Sequence, residues 1–302
     1  MAVAAEWTDL VDPTGDEIAR AITPPPPPAA MELLTAPAQD ERAAMPVLQG
    51  HGHCVLAVLA QPVPVPGKDR ADYLELDLLA TPEKVVTIRK TGAGGGLASV
   101  DGIAARVDAG VPAGEVFHAA VDDAADAFLE LVDDIYESID DLEEEIEHLT
   151  GMAVRRRIAV LRNELLRARR TSSATRGIAR RVVDGRVDVG RSELFPPEIE
   201  LRFVDTYETL VRATEELDVA RDLLGGVRDY YQAKIAEQQN EVAKTLTVIA
   251  SLVLVPSLIV GFFGQNFAGH FRDWYWSLGM SLGLIVGTTV VQLALFRWRR
   301  WL

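Results

Sequence analysis

The sequence predicts an α+β cytoplasmic domain followed by long stalk helices and two C-terminal transmembrane α-helices. Three observations carry this prediction. Two charge-free apolar runs, 245–263 and 276–296, lie at the C-terminal end of the 302-residue chain. Each is about 20 residues, which at ~1.5 Å per residue just crosses a hydrocarbon layer of ~30 Å. Ahead of them, Phe203, Leu210, Leu217, Leu224 and Tyr231 recur at heptad spacing, the pattern of a coiled-coil-type seam. Further upstream, short apolar or alternating segments are separated by turn-forming clusters, as strands are.

The elements follow in order. Glu6, Asp9 and Asp12 stand near the N-terminus without a basic-then-apolar pattern, so no cleavable signal is expected. Pro24 to Pro28 reads as a polyproline spacer. Residues 54–60, 73–79 and 84–90 read as strands, and the cluster from Gly92 to Gly96 as a flexible turn. No Gly-Lys-Ser/Thr follows those glycines, so they do not form a phosphate loop. His51 and His53 sit one residue apart in a Gly-containing loop, an incidental arrangement without further ligands. Cys54 is the only cysteine, which rules out an intramolecular disulfide and a CxxC metal site.

The net charge of −15 argues against nucleic acid or anionic lipid as partner and makes cations the natural counterpart. That acidity is concentrated. From Glu115 to Thr150 there is no Lys or Arg, while Phe128, Leu131, Val132, Ile135, Ile139 and Leu142 recur at helical spacing among carboxylates such as Asp122, Asp126 and Glu130. After Gly151 the sign reverses, with ten arginines from Arg155 to Arg181 and Glu164 the lone acid. Two readings stand side by side: a mutually screening helix hairpin whose ion pairs are each worth ~0–1 kcal/mol, or a negative face that gathers divalent cations. Pro196-Pro197 then ends the preceding element. A helix without further proline runs on to Pro256, interrupted by Gly225-Gly226 at ~1 kcal/mol each relative to alanine.

The short connection after Phe263 makes the two spans antiparallel neighbours. Lys244 precedes the first, and Arg297, Arg299 and Arg300 follow the second. The connection holds Arg272 beside Asp273. The excess of positive charge on one side places both termini in the cytoplasm of a plasma (inner) membrane, multi-pass protein. Trp274, Tyr275, Trp276, Trp298 and Trp301 are its expected interfacial anchors. No nucleophile–base pair emerges from the spacing, so no enzyme is expected.

The stretch Asn240-Glu241-Val242-Ala243-Lys244-Thr245-Leu246-Thr247, followed by Pro256-Ser257-Leu258-Ile259-Val260-Gly261-Phe262-Phe263-Gly264-Gln265-Asn266-Phe267, resembles the pore segment of the CorA-type divalent-cation channels. The likeness covers most of the chain, in the order α/β domain, acidic stalk, pore helix and basic tail. It implies a funnel-shaped homopentamer with domains at 1–115 (α/β), 116–197 (acidic/basic stalk hairpin), 198–263 (pore helix and first span), 264–275 (outer loop), 276–296 (second span) and 297–302 (basic tail). Gly264, Gln265 and Asn266 would form the selectivity filter, with a ring of Asn266 carbonyls recognising hydrated Mg²⁺, an ion that dehydrates reluctantly. Asn240, Leu246, Leu254, Ser257 and Gly261 would line the pore. Lys244, Arg297, Arg299 and Arg300 would form a basic ring at its inner mouth. Asp205 would hold a regulatory Mg²⁺ between subunits, with Asp72 and Asp77 as candidate partners. Two departures bear on the ion. The family's usual Gly-Met-Asn is Gly-Gln-Asn here, and the loop 268–273 lacks a run of carboxylates. The resemblance therefore implies Mg²⁺ transport, with Co²⁺ or Ni²⁺ as weaker permeants. The alternatives are a Zn²⁺ transporter of the ZntB type and a non-conducting membrane-anchored scaffold.

Overall fold

The computed structural model describes residues 4–38, 45–92, 94–187, 194–264 and 274–301. The chain divides into two compact units, Met1–Arg228 and Asp229–Leu302.

The first unit is built on a five-stranded sheet in the order β1-β5-β4-β3-β2. The strands are β1 (Glu6–Val11), β2 (Val47–Gly50), β3 (Val55–Pro64), β4 (Ala71–Ala80) and β5 (Lys84–Arg89). Strand β1 runs parallel to β5, and the other pairings are antiparallel. The expected strands are β3, β4 and β5, the first two extending to Pro64 and back to Ala71. Strands β1 and β2 were not anticipated from the sequence. The acids that argued against a signal sequence instead hold β1 in register: Asp9 accepts from Thr87 Oγ1 at 2.7 Å and pairs with Arg89, and Glu6 pairs with Lys84. Such cross-strand pairs are each worth roughly 0.2–1 kcal/mol.

Residues 54–60 are buried throughout, because both faces of the sheet are covered. Helices α1 (Gly15–Ala21) and α2 (Pro28–Thr35) cover one face, where Ile18, Ile22 and Leu34 pack on Leu56, Leu79, Val86 and Ile88. The proline run is thus a spacer only in part, since Pro28 opens α2, where its fixed φ and missing N–H cost nothing. The glycine cluster is a defined turn: Gly92 N–H donates to Gly96 O at 3.0 Å, Gly95 N–H donates to Gly92 O at 2.8 Å, and Gly95 has φ +76°.

A short helix, α3 (Asp101–Asp108), leads into α4 (Ala113–Glu145), whose first turns pack on β3. Gly114 is required there, since a Cβ would collide with the Leu194 carbonyl. Thr150 caps α5 (Gly151–Val183), its hydroxyl accepting from Ala153 N–H. The arginines of α5 pair with more than the acids of α4. Arg157 joins Glu145 to Asp69 of the β3–β4 turn, and Arg169 pairs with Asp218 of the next helix at 2.7 Å.

That helix, α6 (Pro197–Gly264), has 68 residues, about 100 Å at ~1.5 Å per residue. Phe203, Leu210, Leu217, Leu224 and Tyr231 are all buried. So is a second set, Thr206, Ala213, Ala220 and Val227, which completes an alternating three–four heptad seam. The helix continues unbroken through Gly225, Gly226 and Pro256.

The second unit contains the remainder of α6 and α7 (Trp274–Trp298). Both carry stretches long and apolar enough to cross a membrane, and those stretches are almost wholly exposed in the single chain. Such surface needs lipid or further protein around it.

Candidate cation pathway and stalk site

The membrane part of α6 is organised by where α7 touches it. Gln292 Nε2 of α7 donates to Ser251 O at 3.3 Å, and Val248 and Phe296 are buried. At ~100° per residue, Val248, Ser251 and Val255 share one face. Asn240, Leu246, Leu254, Ser257 and Gly261 fall within an arc of about 120°, centred about 110° away from that face. All five are exposed, and among the described residues no atom approaches within 4 Å of where a Cβ on Gly261 would stand. The resemblance-derived residues thus occupy a single stripe of α6 that α7 does not cover.

The chemistry of the stripe is neutral. Ser257 Oγ donates to Val253 O at 2.7 Å, so its proton is engaged and its lone pairs are what it offers outward. That suits a cation better than an anion. Pro256 has no N–H to give Leu252 O, which leaves one backbone carbonyl unpaired in the helical ladder. Helix α6 ends at Gly264. Gln265 and Asn266 lie outside the described residues.

The Ser251–Gln292 contact also sets depth. Lys244 is seven residues before Ser251, and Arg299 is seven after Gln292, each about 10 Å from the contact. The antiparallel register therefore brings Lys244 and the cluster Arg297, Arg299 and Arg300 to one level, all exposed. Phe296 and Trp301 stack beside them with centroids 5.9 Å apart.

Asp205 lies on the N-terminal part of α6, exposed. Of its candidate partners, Asp77 is unsuitable. It is fully buried and paired with Lys90 Nζ at 2.9 Å, and that ammonium also pairs with Glu75 and donates to Leu33 O. Burial raises the Asp77 carboxyl to about 7 despite Lys90, and Glu75 adds to the rise. Burial opposes the charge on Lys90, but Asp77 and Glu75 outweigh it and hold the ammonium charged. Asp72 is exposed.

The residue next to Asp205 was missed in the sequence. Thr206 Oγ1 donates to Asp122 Oδ1 at 2.7 Å and lies 3.0 Å from His118 Nε2, joining α6 to α4. His118 packs edge-on against Phe203, and burial lowers its pKa. Its i,i+4 spacing from Asp122 was the available signal. One position on, Asp123 is pushed up to about 6 by burial and by Asp122 and Asp126, with Arg106 opposing. Burial, Asp122 and Glu130 raise Asp126 in the same direction.

A five-stranded sheet domain, a heptad helix running into a first apolar span, and a second antiparallel apolar helix define a two-span membrane protein with a large α/β domain. Within that class, residues 6–300 match the CorA-like Mg²⁺ transporter protein family, to which this chain belongs. Among curated relatives, the Cobalt/magnesium transport protein CorA of Thermotoga maritima is 29% identical over 113 residues. That stretch is 35% of this chain and 32% of that protein, so the alignment spans about a third of the relative. The solved CorA magnesium transporter of Methanocaldococcus jannaschii superposes with a TM-score of 0.77 at 15% identity, covering 98% of this chain and 91% of that one. The ZntB cytoplasmic domain of Vibrio parahaemolyticus gives a TM-score of 0.57 at 12% identity, over 76% of this chain and 88% of that one. At these identities the structural likenesses speak to fold.

Proposed function

We propose that this chain is one subunit of a homopentameric divalent-cation channel that takes up Mg²⁺ along its axis, with Co²⁺ or Ni²⁺ as weaker permeants. Membership of the family supports the class of activity. The observation that carries the pathway is the exposed, uncharged stripe of α6 from Asn240 to Gly261, on a face that α7 leaves free. Five copies turned inward would surround a path offering amide and hydroxyl oxygens with leucine constrictions between them, suited to an ion that keeps its water. Gly264, Gln265 and Asn266 would form the outer filter, and Lys244 with Arg297, Arg299 and Arg300 the inner basic ring. Both termini would lie in the cytoplasm. Cytosolic Mg²⁺ held by Asp205 against a neighbouring subunit would keep the pore shut.

Gln265 in place of the usual methionine, together with the carboxylate-poor outer loop, favours a second reading: Zn²⁺ transport of the ZntB type. Flux into proteoliposomes separates the two, using trapped Mg²⁺-, Zn²⁺- and pH-sensitive dyes and Asn266→Ala as control. Potential-driven Mg²⁺ entry that is lost in the variant is the expected result. Zn²⁺ entry with a pH change would move the protein to the second reading. Silence for every ion would leave a scaffold.

A further inference from the structure

The stalk hairpin carries two charged stripes, and most of their charges have no partner among the described residues. On α4, Asp126, Glu130, Asp133, Glu137, Asp140 and Glu144 are exposed. At ~100° per residue they fall within an arc of about 80°, opposite the buried Leu131, Ile135 and Leu142. On α5, Arg155, Arg162, Arg169 and Arg176 recur at heptad spacing. With Arg170 they span an arc of about 120°, on the side away from the buried Leu161, Leu165 and Ala168. Among the described residues none of these carboxylates is in an ion pair, and of these arginines only Arg169 is, with Asp218. Successive acids of the α4 stripe stand three or four residues apart, where like charges destabilise a helix. Asp126 registers this: burial raises its pKa first, and Asp122 and Glu130 raise it further.

Both stripes face away from the contact between the two helices, so the hairpin itself does not join them. Arg157 crosses to Glu145 at 2.7 Å and marks a common level on α4 and α5. Counting equally from that pair along the antiparallel helices sets Arg162 level with Asp140 and Arg176 level with Asp126. A neighbouring copy turned about an axis along the hairpin keeps those levels. Its α5 then offers arginine where this chain's α4 offers carboxylate, over stripes about 27 and about 32 Å long at ~1.5 Å per residue. The exposed Leu166 lies on the arginine stripe and would be covered too. A divalent cation would answer only the acidic stripe and a polyanion only the basic one. A second copy answers both at once.

We propose that the acidic stripe of α4 docks on the arginine stripe of α5 in the next copy of this chain, a head-to-tail contact repeated around a ring. The inference rests on the homo-oligomer proposed above. A contact between two different patches closes into a ring when each copy supplies both. Each exposed pair is weak alone, but a network of them fixes register and orientation. Asp140→Cys and Arg162→Cys are made in separate, differently tagged copies of the full chain, co-expressed and purified in detergent. Cys54 is fully buried, so a short bismaleimide reads the new thiols. A dimer carrying both tags should form, and neither variant expressed alone should give one. Independently, one copy carries Asp140→Lys with Glu144→Lys and the other Arg155→Glu with Arg162→Glu. Each alone should lower the Tm of the oligomer, and co-expression should restore it, which pairing inside a single hairpin could not do. Absence of the mixed dimer, a dimer from Asp140→Cys alone (two acidic stripes facing each other across a cation), or no restoration of Tm would each overturn the docking. Where the wild type is still an oligomer by light scattering, such a result removes this interface only. A monomeric wild type would remove the proposed assembly with it.

Discussion

At the scale of single residues, the most exposed physical commitments are buried charges. Asp123 binds its proton more tightly in the folded chain than at its ordinary value of 3.8, because burial and the neighbouring Asp122 and Asp126 disfavour its charge. The folded state therefore holds more protons between about pH 4 and about pH 6, and this group's contribution to stability is lost as pH rises through that window. Asp123→Asn should flatten the fall in Tm between those two values, and a steeper fall in the variant would contradict the assignment. Lys90 pairs with both Glu75 and Asp77 inside the sheet domain, so Lys90→Met leaves the buried Glu75 carboxylate, and Asp77 when ionised, without that cation. It should cost about 3–5 kcal/mol in denaturant unfolding. Asp205→Asn should shift the inhibition of uptake by internal Mg²⁺ to higher concentration, read from flux at graded internal Mg²⁺. If that dependence stays where it was, Asp205 does not hold the regulatory ion.

At the scale of elements, the helices were the most legible part and the short pieces the least. The acidic and basic runs announced α4 and α5 because their apolar residues repeat at helical spacing. Half of the α6 seam was legible as large residues at heptad spacing. The other half, Thr206, Ala213, Ala220 and Val227, was not, because a threonine and two small alanines give little hydropathy contrast and leave Val227 alone at its spacing. Strand β1 escaped for a related reason: Glu-Trp-Thr-Asp-Leu-Val reads as a polar terminus until Lys84, Thr87 and Arg89 supply its partners. Opposite charge on consecutive helices suggested that they screen each other; Arg157 does pair with Glu145 of α4, but it and Arg169 also reach the β3–β4 turn and α6. Gly225 and Gly226 sit in continuous helix with no atom near their missing side chains. Alanine at either should therefore raise stability by roughly 0.5–1 kcal/mol. A drop in Tm would instead mean that another chain packs closely against that point.

At the scale of the whole molecule, the sequence pattern marked the two spans clearly, and the contact between Ser251 and Gln292 turns them into a register. That register places Lys244 level with Arg299 and leaves the stripe from Asn240 to Gly261 uncovered, neither of which hydropathy alone conveys. The stripe residues were named by resemblance; their common face follows from the helix itself. The central claim is that this stripe borders water and conducts. Cys54 is fully buried, and burial raises its thiol pKa, so the native background should be silent to a water-soluble cationic thiol reagent. Cysteine is placed singly at Ser257 and Gly261, and at Val248 and Val255 on the face toward α7, and Mg²⁺ flux is followed before and after the reagent. The account predicts block at Ser257→Cys and Gly261→Cys with flux preserved at Val248→Cys and Val255→Cys. Equal insensitivity at all four, or block confined to the α7 face, would contradict it.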